Sequence, residues 1–323
     1  MLSPFPVPRF EDVLAAAARI APHAHATPVH RSHTLDALAG CELHFKGEHL
    51  QRGGAFKFRG ACNAVWSLGE EQAARGVVTH SSGNHGAALA LAARTRGIAC
   101  HVVVPDNASP AKAAAIEAYG GVLHRCQPTQ AAREAACQAL QESTGAELVH
   151  PSADARVIAG QGTAALELIG STGPLDALVV PVSGGGLASG SAITLAGVSP
   201  ATRLFLAEPA AGADAAASFE RGERATELVA DTICDGLRAT IGAPNFGILQ
   251  AAGAKVLTVE DDDTLVAMRL LWQRLKQVVE PSSAIAFAAV LGNPALFAGS
   301  RVGVVLSGGN VAPEVLRMAG AQA

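Results

Sequence analysis

The sequence predicts an α/β protein made of open, mostly parallel sheets with covering helices, and three observations carry that prediction. Short β-branched runs alternate with alanine-rich helical patterns along nearly the whole chain. Runs such as ALVVPV (177–182) are apolar at successive positions rather than at alternate ones, the pattern of strands covered by helices on both faces. Glycine clusters follow three of the runs, as SSGNHG (81–86), SGGGLASG (183–190) and SGGN (307–310).

Taken in order, strands are expected at GVVTH (76–80), CHVVVP (100–105), GVLHR (121–125), ALVVPV (177–182), RLFLAE (203–208), KVLTV (255–259) and RVGVVLS (301–307). Helices are expected between them at 84–96, 110–119, 128–143, 155–169, 187–197, 262–278 and 311–319. Spacing is tight over 76–150 and looser afterwards. That contrast predicts a compact four-strand unit at 76–150, inserted in a larger body formed by 1–75 and 151–323. The acidic run EDDDT (260–264) stands where a helix N-terminus favours negative charge.

Composition narrows the function. A chain of 323 residues, 49% hydrophobic and 16% charged, can bury one large core or two modest ones. With aromatics at 4% and 34 glycines, that core must rest on close packing of small and branched side chains. A net charge of −4 offers no basic surface for nucleic acid or an anionic membrane. The six cysteines, at 41, 62, 100, 126, 137 and 234, form no C-x-x-C pair, which argues against structural zinc or a disulfide framework. The N-terminus MLSPFPVPRF lacks a secretory pattern, and the apolar stretch Leu175 to Gly197 is broken by SGGGLASGS, so a cytoplasmic protein is expected.

Ligands of open parallel sheets bind beyond the carboxyl ends of the strands, and glycine turns there let anions approach free helix N–H groups. Three such turns point to one shared anion-lined cleft. SGGGLASG lacks the G-K-[ST] ending of an NTPase loop. A dinucleotide reading finds Gly184-x-Gly186 and an acid, Glu208, at the next strand end, but has Ser189 at the third glycine position. It also leaves unexplained GGAFKFRGA (53–61), where Lys57 stands between Phe56 and Phe58. Apolar burial lowers a lysine pKa and makes a neutral amine available, a nucleophile's requirement. The competing reading is an ordinary lysine at the start of a helix over 57–68, its head in water.

AFKFRGA, SSGNHG, SGGGLASG, AEPAAGAD, VEPSSA and SGGN, in this order, resemble the fold-type II pyridoxal-phosphate enzymes, in the branch of serine racemases, serine/threonine dehydratases and 3-hydroxyaspartate dehydratases. The resemblance covers about residues 10 to 318. It implies two sheets with the active site between domains, and Lys57 as the lysine that carries pyridoxal 5'-phosphate as a Schiff base. It implies that Ser183, Gly184, Gly185, Gly186 and Leu187 wrap the phosphate, with Phe56 beside the cofactor. Asn84 would bond the ring hydroxyl, and Ser307 would face the pyridine nitrogen. Ser81, Ser82, Gly83 and His85 would bind the substrate carboxylate, Ser82 also matching the opposite-face acid/base of the racemases. Arg133 matches an arginine that reaches a second carboxylate. Glu208, Gly212 and Asp214 match a divalent cation site for Mg²⁺, Mn²⁺ or Ca²⁺, an all-oxygen set suited to a hard ion.

The activity so implied is dehydration and deamination of an L-β-hydroxy amino acid (serine, threonine or 3-hydroxyaspartate) to a 2-oxo acid and ammonia, by a homodimer. The alternatives are an amino-acid racemase acting on serine or aspartate, and a binding or regulatory protein without turnover. Two positions depart from the racemase pattern: Ala87 where glutamine is usual and Ser152 where asparagine is. Both bear on the room around the substrate's Cβ.

Overall fold

The computed structural model describes residues 7–227 and 230–321. Its strands are β1 (Val29–His30), β2 (Glu42–Lys46), β3 (Val77–Thr79), β4 (Cys100–Pro105), β5 (Val122–Cys126), β6 (Glu147–Leu148), β7 (Ala177–Pro181), β8 (Arg203–Pro209), β9 (Lys255–Val259) and β10 (Arg301–Val305). They form a six-stranded sheet in the order β1-β2-β10-β7-β8-β9 and a four-stranded sheet in the order β5-β4-β3-β6. Every ladder is parallel except that of β1 with β2.

The central apolar run β7 is buried on both faces, as its composition requires, while the edge strands β5 and β9 are half-exposed. Ala177 and Val179 of β7 pack in one core with Phe45, Phe205 and the helix Pro281–Leu291. Leu178 and Val180, on the opposite face, join a second core with Leu168, Leu187 and Leu195. That second face is covered by the helices Ala155–Thr172 and Gly186–Val198. Asp154 caps the first of these, accepting from the Arg156 N–H at 2.8 Å. Thr129 caps the helix Gln130–Thr144 in the same way, and Gly145 in the left-handed region ends it.

Three expected features differ in the structure. The helix expected over 262–278 runs only from Asp261 to Leu270, continues as a π-turn over Leu271–Leu275, and stops at Lys276, whose φ is 61°. Strands β1, β2 and β6 and the helices Phe10–Ile20, His33–Ala39 and Pro281–Leu291 were not among the expected elements. The EDDDT acids do lie at a helix start, but Glu260 makes no side-chain cap bond; Asp261 instead accepts from Thr232 Oγ1 and the Ile233 N–H.

The site follows from the strand order. β10 lies between β2 and β7, while β8 and β9 continue outward from β7. The chain direction therefore splits beside β10 and β7, and the turns beyond those two strands, carrying SGGN and SGGGLASG, open onto one crevice. The strands of the smaller sheet all lie between Val77 and Leu148, and SSGNHG follows β3.

Candidate active site

Lys57 is the first residue of the helix Lys57–Trp66, as the water-exposed alternative also supposes, but its amine is turned inward. Nζ donates to the Pro151 carbonyl at 3.0 Å and lies 5.0 Å from the centre of the Phe56 ring. Burial lowers its pKa to about 8 against the opposing pull of the Glu280 carboxylate. Only Phe56 makes this contact. Phe58 points into the core beside Leu89 and Val157, with the Arg52 guanidinium over its ring, so the expected pair of flanking rings is a single ring.

The backbone ties this segment to the other motifs. The Phe56 N–H donates to the Ser307 carbonyl at 2.9 Å, and Ala55 bridges Gly308. Ser307 is buried, its Oγ 3.4 Å from the Ser282 carbonyl. Beyond Pro151, Ser152 packs under the glycine turn after β7. A Cβ on Gly184 would lie 2.4 Å from Ser152 Oγ, and one on Gly185 would lie 2.7 Å from Asn245 Cβ. Gly185 has φ +89°, and the helix that begins at Gly186 makes its first bond from Ser189 N–H to the Gly185 carbonyl. The N–H groups of Gly186 and Leu187 have no acceptor within their own helix, the condition for binding an anion there. Ser183 Oγ exchanges hydrogen bonds with the backbone of Ala239, and Asn245 Nδ2 donates to the Gly184 carbonyl at 2.6 Å.

Asn84 opens the helix Asn84–Arg96 and spans the two sheets' turns. Its Nδ2 donates to both oxygens of Glu280, at 3.0 and 3.2 Å, and its Oδ1 accepts from Asn310 Nδ2 at 3.0 Å. Burial drives the Glu280 pKa up to about 7, with Asp235 adding to the rise. Glu280, in VEPSSA, was not singled out from the sequence. A carboxylate preceding proline at a helix start reads as an ordinary N-terminal acid, and only its burial against Gly308 and Asn84 reveals it.

The third turn belongs to the smaller sheet. Ser81, Ser82 and Gly83 are half-buried, and the Ser81 carbonyl lies so close to Gly86 that a Cβ there would come within 2.0 Å. His85 is buried, with Nε2 3.2 Å from the Val149 carbonyl and Nδ1 unpaired. Burial first, then the nearby Lys57 amine, holds it well below its usual pKa. His150 stands 5.2 Å from His80, ring centre to ring centre. Its Nδ1 accepts from the N–H groups of Ser152 and Ala153, and burial, then the charge on His80, lowers its pKa to about 4. Neither His80 nor His150 was picked out from the sequence; THSSGNHG and VHPS offered only their adjacency to the turns.

Arg133 lies on the helix Gln130–Thr144; burial lowers the pKa of His80, and the charge of Arg133 adds to the fall. Its Nε is buried without a hydrogen-bond partner. Farther off, at the end of β8, Glu208 accepts from the N–H groups of Ala215 and Ala216 at 2.7 and 2.8 Å. Burial pushes its pKa to about 7, and the adjacent Asp214 carboxyl adds to the rise. Gly212 is buried in the 3₁₀ turn between the two acids. Among the described residues no group of three or more His, Cys, Asp or Glu side chains surrounds a common point.

An amine of reduced basicity, a side-chain-free helix start and two polar turns around one crevice define an enzyme site for a phosphate-bearing carbonyl cofactor. Comparison with known proteins agrees. The model of the pyridoxal-phosphate dependent enzyme family matches residues 20–308, and the chain belongs to that family. It is 45% identical over 305 residues to the beta-hydroxyaspartate dehydratase of Paracoccus denitrificans, covering 94% of this chain and 97% of that protein. It is 47% identical over 298 residues to a serine racemase of Arabidopsis thaliana, covering 91% and 90% of the two. The crystal structure of the Dictyostelium discoideum serine racemase superposes with a TM-score of 0.91 at 44% identity, over 94% of this chain and 99% of that one. The fold is therefore that of the fold-type II pyridoxal-phosphate enzymes. No helix among the described residues is long and apolar enough to cross a membrane.

Proposed function

We propose that this enzyme deaminates an L-β-hydroxy amino acid to a 2-oxo acid and ammonia, by eliminating water and then hydrolysing the enamine so formed, with a dicarboxylate, 3-hydroxyaspartate, as its preferred substrate. Arg133 carries the dicarboxylate reading. It is the cation at the substrate corner, its Nε is buried and unpaired, and no acid pairs with it among the described residues. A second substrate carboxylate supplies the missing partner through a bidentate contact. The likeness to a beta-hydroxyaspartate dehydratase supports the same choice.

The residues present fit pyridoxal phosphate. The glycine turn leaves a cradle that side chains on Gly184 or Gly185 would fill, and the Lys57 amine is already depressed in basicity. Ser183 through Leu187 would hold the phosphate, Asn84 the ring hydroxyl, Ser307 the pyridine nitrogen, and Phe56 the cofactor's flank. Bound there, the cofactor supplies an electron sink for the substrate's Cα. Lys57, with a pKa near the working pH, takes the Cα proton. Ser81, Ser82, Gly83 and His85 hold the α-carboxylate, and neutral His85 does so as a hydrogen-bonding group without adding charge. The Cβ–O bond breaks, the proton taken from Cα balances the departing hydroxide as water, and hydrolysis of the enamine gives the 2-oxo acid and ammonia.

Glu208, Asp214 and the Gly212 carbonyl would hold a divalent cation, whose charge would offset two buried carboxyls. A large unit of 1–75 with 151–323, a small unit of 76–150, homodimer assembly and a cytoplasmic location complete the reading. The separate four-stranded sheet supports the division, and family resemblance supports the other two. Release of 2-oxo acid from L-serine, L-threonine and the 3-hydroxyaspartate isomers, measured with and without EDTA, tests the proposal. Turnover confined to serine or threonine would refute the dicarboxylate reading. A racemase reading rests on Ser82 in the carboxylate turn, and D-enantiomer forming faster than oxo acid would favour it.

A further inference from the structure

The smaller sheet carries a second cluster of chemistry, away from the crevice. His101 of β4 and His124 of β5 lie on one face of the sheet, because His101 registers with Val122 and His124 with Val103. Their facing nitrogens, His101 Nδ1 and His124 Nε2, are 3.0 Å apart. Both rings are half-buried, and neither is paired with a carboxylate, a lysine or an arginine among the described residues. The pair thus serves no visible charge balance, and the active-site chemistry does not use it.

We propose that His101 and His124 form a two-nitrogen chelate for an imidazole-preferring divalent metal ion of the Zn²⁺, Ni²⁺ or Cu²⁺ kind, with water completing its coordination. The spacing suits the right-angle bite of square-planar or octahedral ions, in which two imidazole nitrogens at about 2.1 Å from the metal stand about 3.0 Å apart; a tetrahedral ion needs them to part to about 3.4 Å. The parallel ladder holds both Cα atoms in register, so little chain entropy is lost on binding. In the metal-free pair one ring offers N–H to the other. On binding, that proton moves to the same ring's far nitrogen, and both lone pairs face the metal without net proton release. The absence of a third protein ligand among the described residues leaves coordination positions open, so the ion exchanges and imidazole-seeking metals are favoured over Mg²⁺ or Ca²⁺.

The test is Ni²⁺ titration of the cofactor-loaded enzyme by calorimetry, in excess Mg²⁺ to saturate the Glu208–Asp214 region. Cu²⁺ electron paramagnetic resonance counts the bound nitrogens. His124→Gln and His101→Gln are each expected to weaken one binding event at least 10-fold and to remove the two-nitrogen signature. His33→Gln, at a fully exposed ring on another helix, keeps both. His124→Asn replaces His124→Gln if circular dichroism shows the latter unfolded. Identical isotherms for wild type and either variant, or no Ni²⁺ binding by the wild type at millimolar metal, would overturn the proposal.

Discussion

The two sheets divide the work by different physical means. In the large sheet β7 is buried at every residue, and the turns beyond β7 and β10 use backbone: glycines, helix N–H groups and a buried serine. In the small sheet β5 is exposed or half-exposed throughout, and the crevice edge is built of side chains: Ser81, Ser82, His80, His85, His150 and Arg133. A phosphate is the same in every reaction of the family and suits a rigid backbone cradle. A substrate's second functional group varies, and side chains on the turns beyond the small sheet change without disturbing the main core. Lys57 stands beside both, its chain anchored to Ser307 and its amine to the Pro151 carbonyl, just beyond the last strand of the small sheet.

Substitutions that break this contrast should have effects of very different size. Lys57→Ala should lower kcat/KM by about 10³-fold or more, because no other amine serves the Cα proton. In cofactor-free protein the sign reverses for stability. The folded amine titrates at about 8 and the unfolded one at 10.5, so the burial penalty is full below pH 8 and fades as pH rises from 8 to 10.5. Lys57→Met should therefore be the more stable protein by about 1–3 kcal/mol at pH 7, with the gap closing by pH 10 in urea titrations. Equal stability at both pH values would contradict the buried, depressed amine.

On the backbone side, Gly185→Ala forces φ +89° on a residue with a Cβ and pushes on Asn245. Strain of about 1–3 kcal/mol should weaken cofactor retention about 10- to 100-fold, read as visible absorbance after dialysis. On the side-chain side, Arg133→Gln should raise KM for 3-hydroxyaspartate about 10- to 100-fold while leaving serine turnover within about twofold. An equal loss on both substrates would make Arg133 a structural residue. The smallest effect belongs to the ion pair between Lys112, on a small-sheet helix, and Asp235, on the large-sheet side. Both partners are about two-fifths exposed. Lys112→Gln should change kcat/KM less than about fivefold, and 0.5 M salt should erase the difference.

Much of this was legible from residue order alone. Strand β4 and the helix Asn84–Arg96 have their expected bounds, and most other expected elements differ by a few residues, because apolar period and glycine punctuation are local signals. The glycine turns and Lys57 were legible for the same reason: their chemistry is written in consecutive residues. β2 was not. ELHFK mixes two basic side chains with apolar ones and looks solvated, yet Lys46 is buried because Glu167 lies 2.5 Å from its amine. Arg59, two residues after Lys57, is fully buried between Glu48 and Glu167 for the same reason.

The sequence by itself determined the α/β class, the three glycine turns and the place of Lys57 at a helix start, since each depends on neighbours along the chain. Only the tertiary structure decided that Phe58 leaves the site and that Glu280 enters it. It alone brought Ser152 beneath the glycine turn after β7, and His101 against His124. These are contacts between residues far apart in sequence. Their burial and protonation depend on which groups the folded chain brings within a few ångströms, and no local pattern encodes that distance.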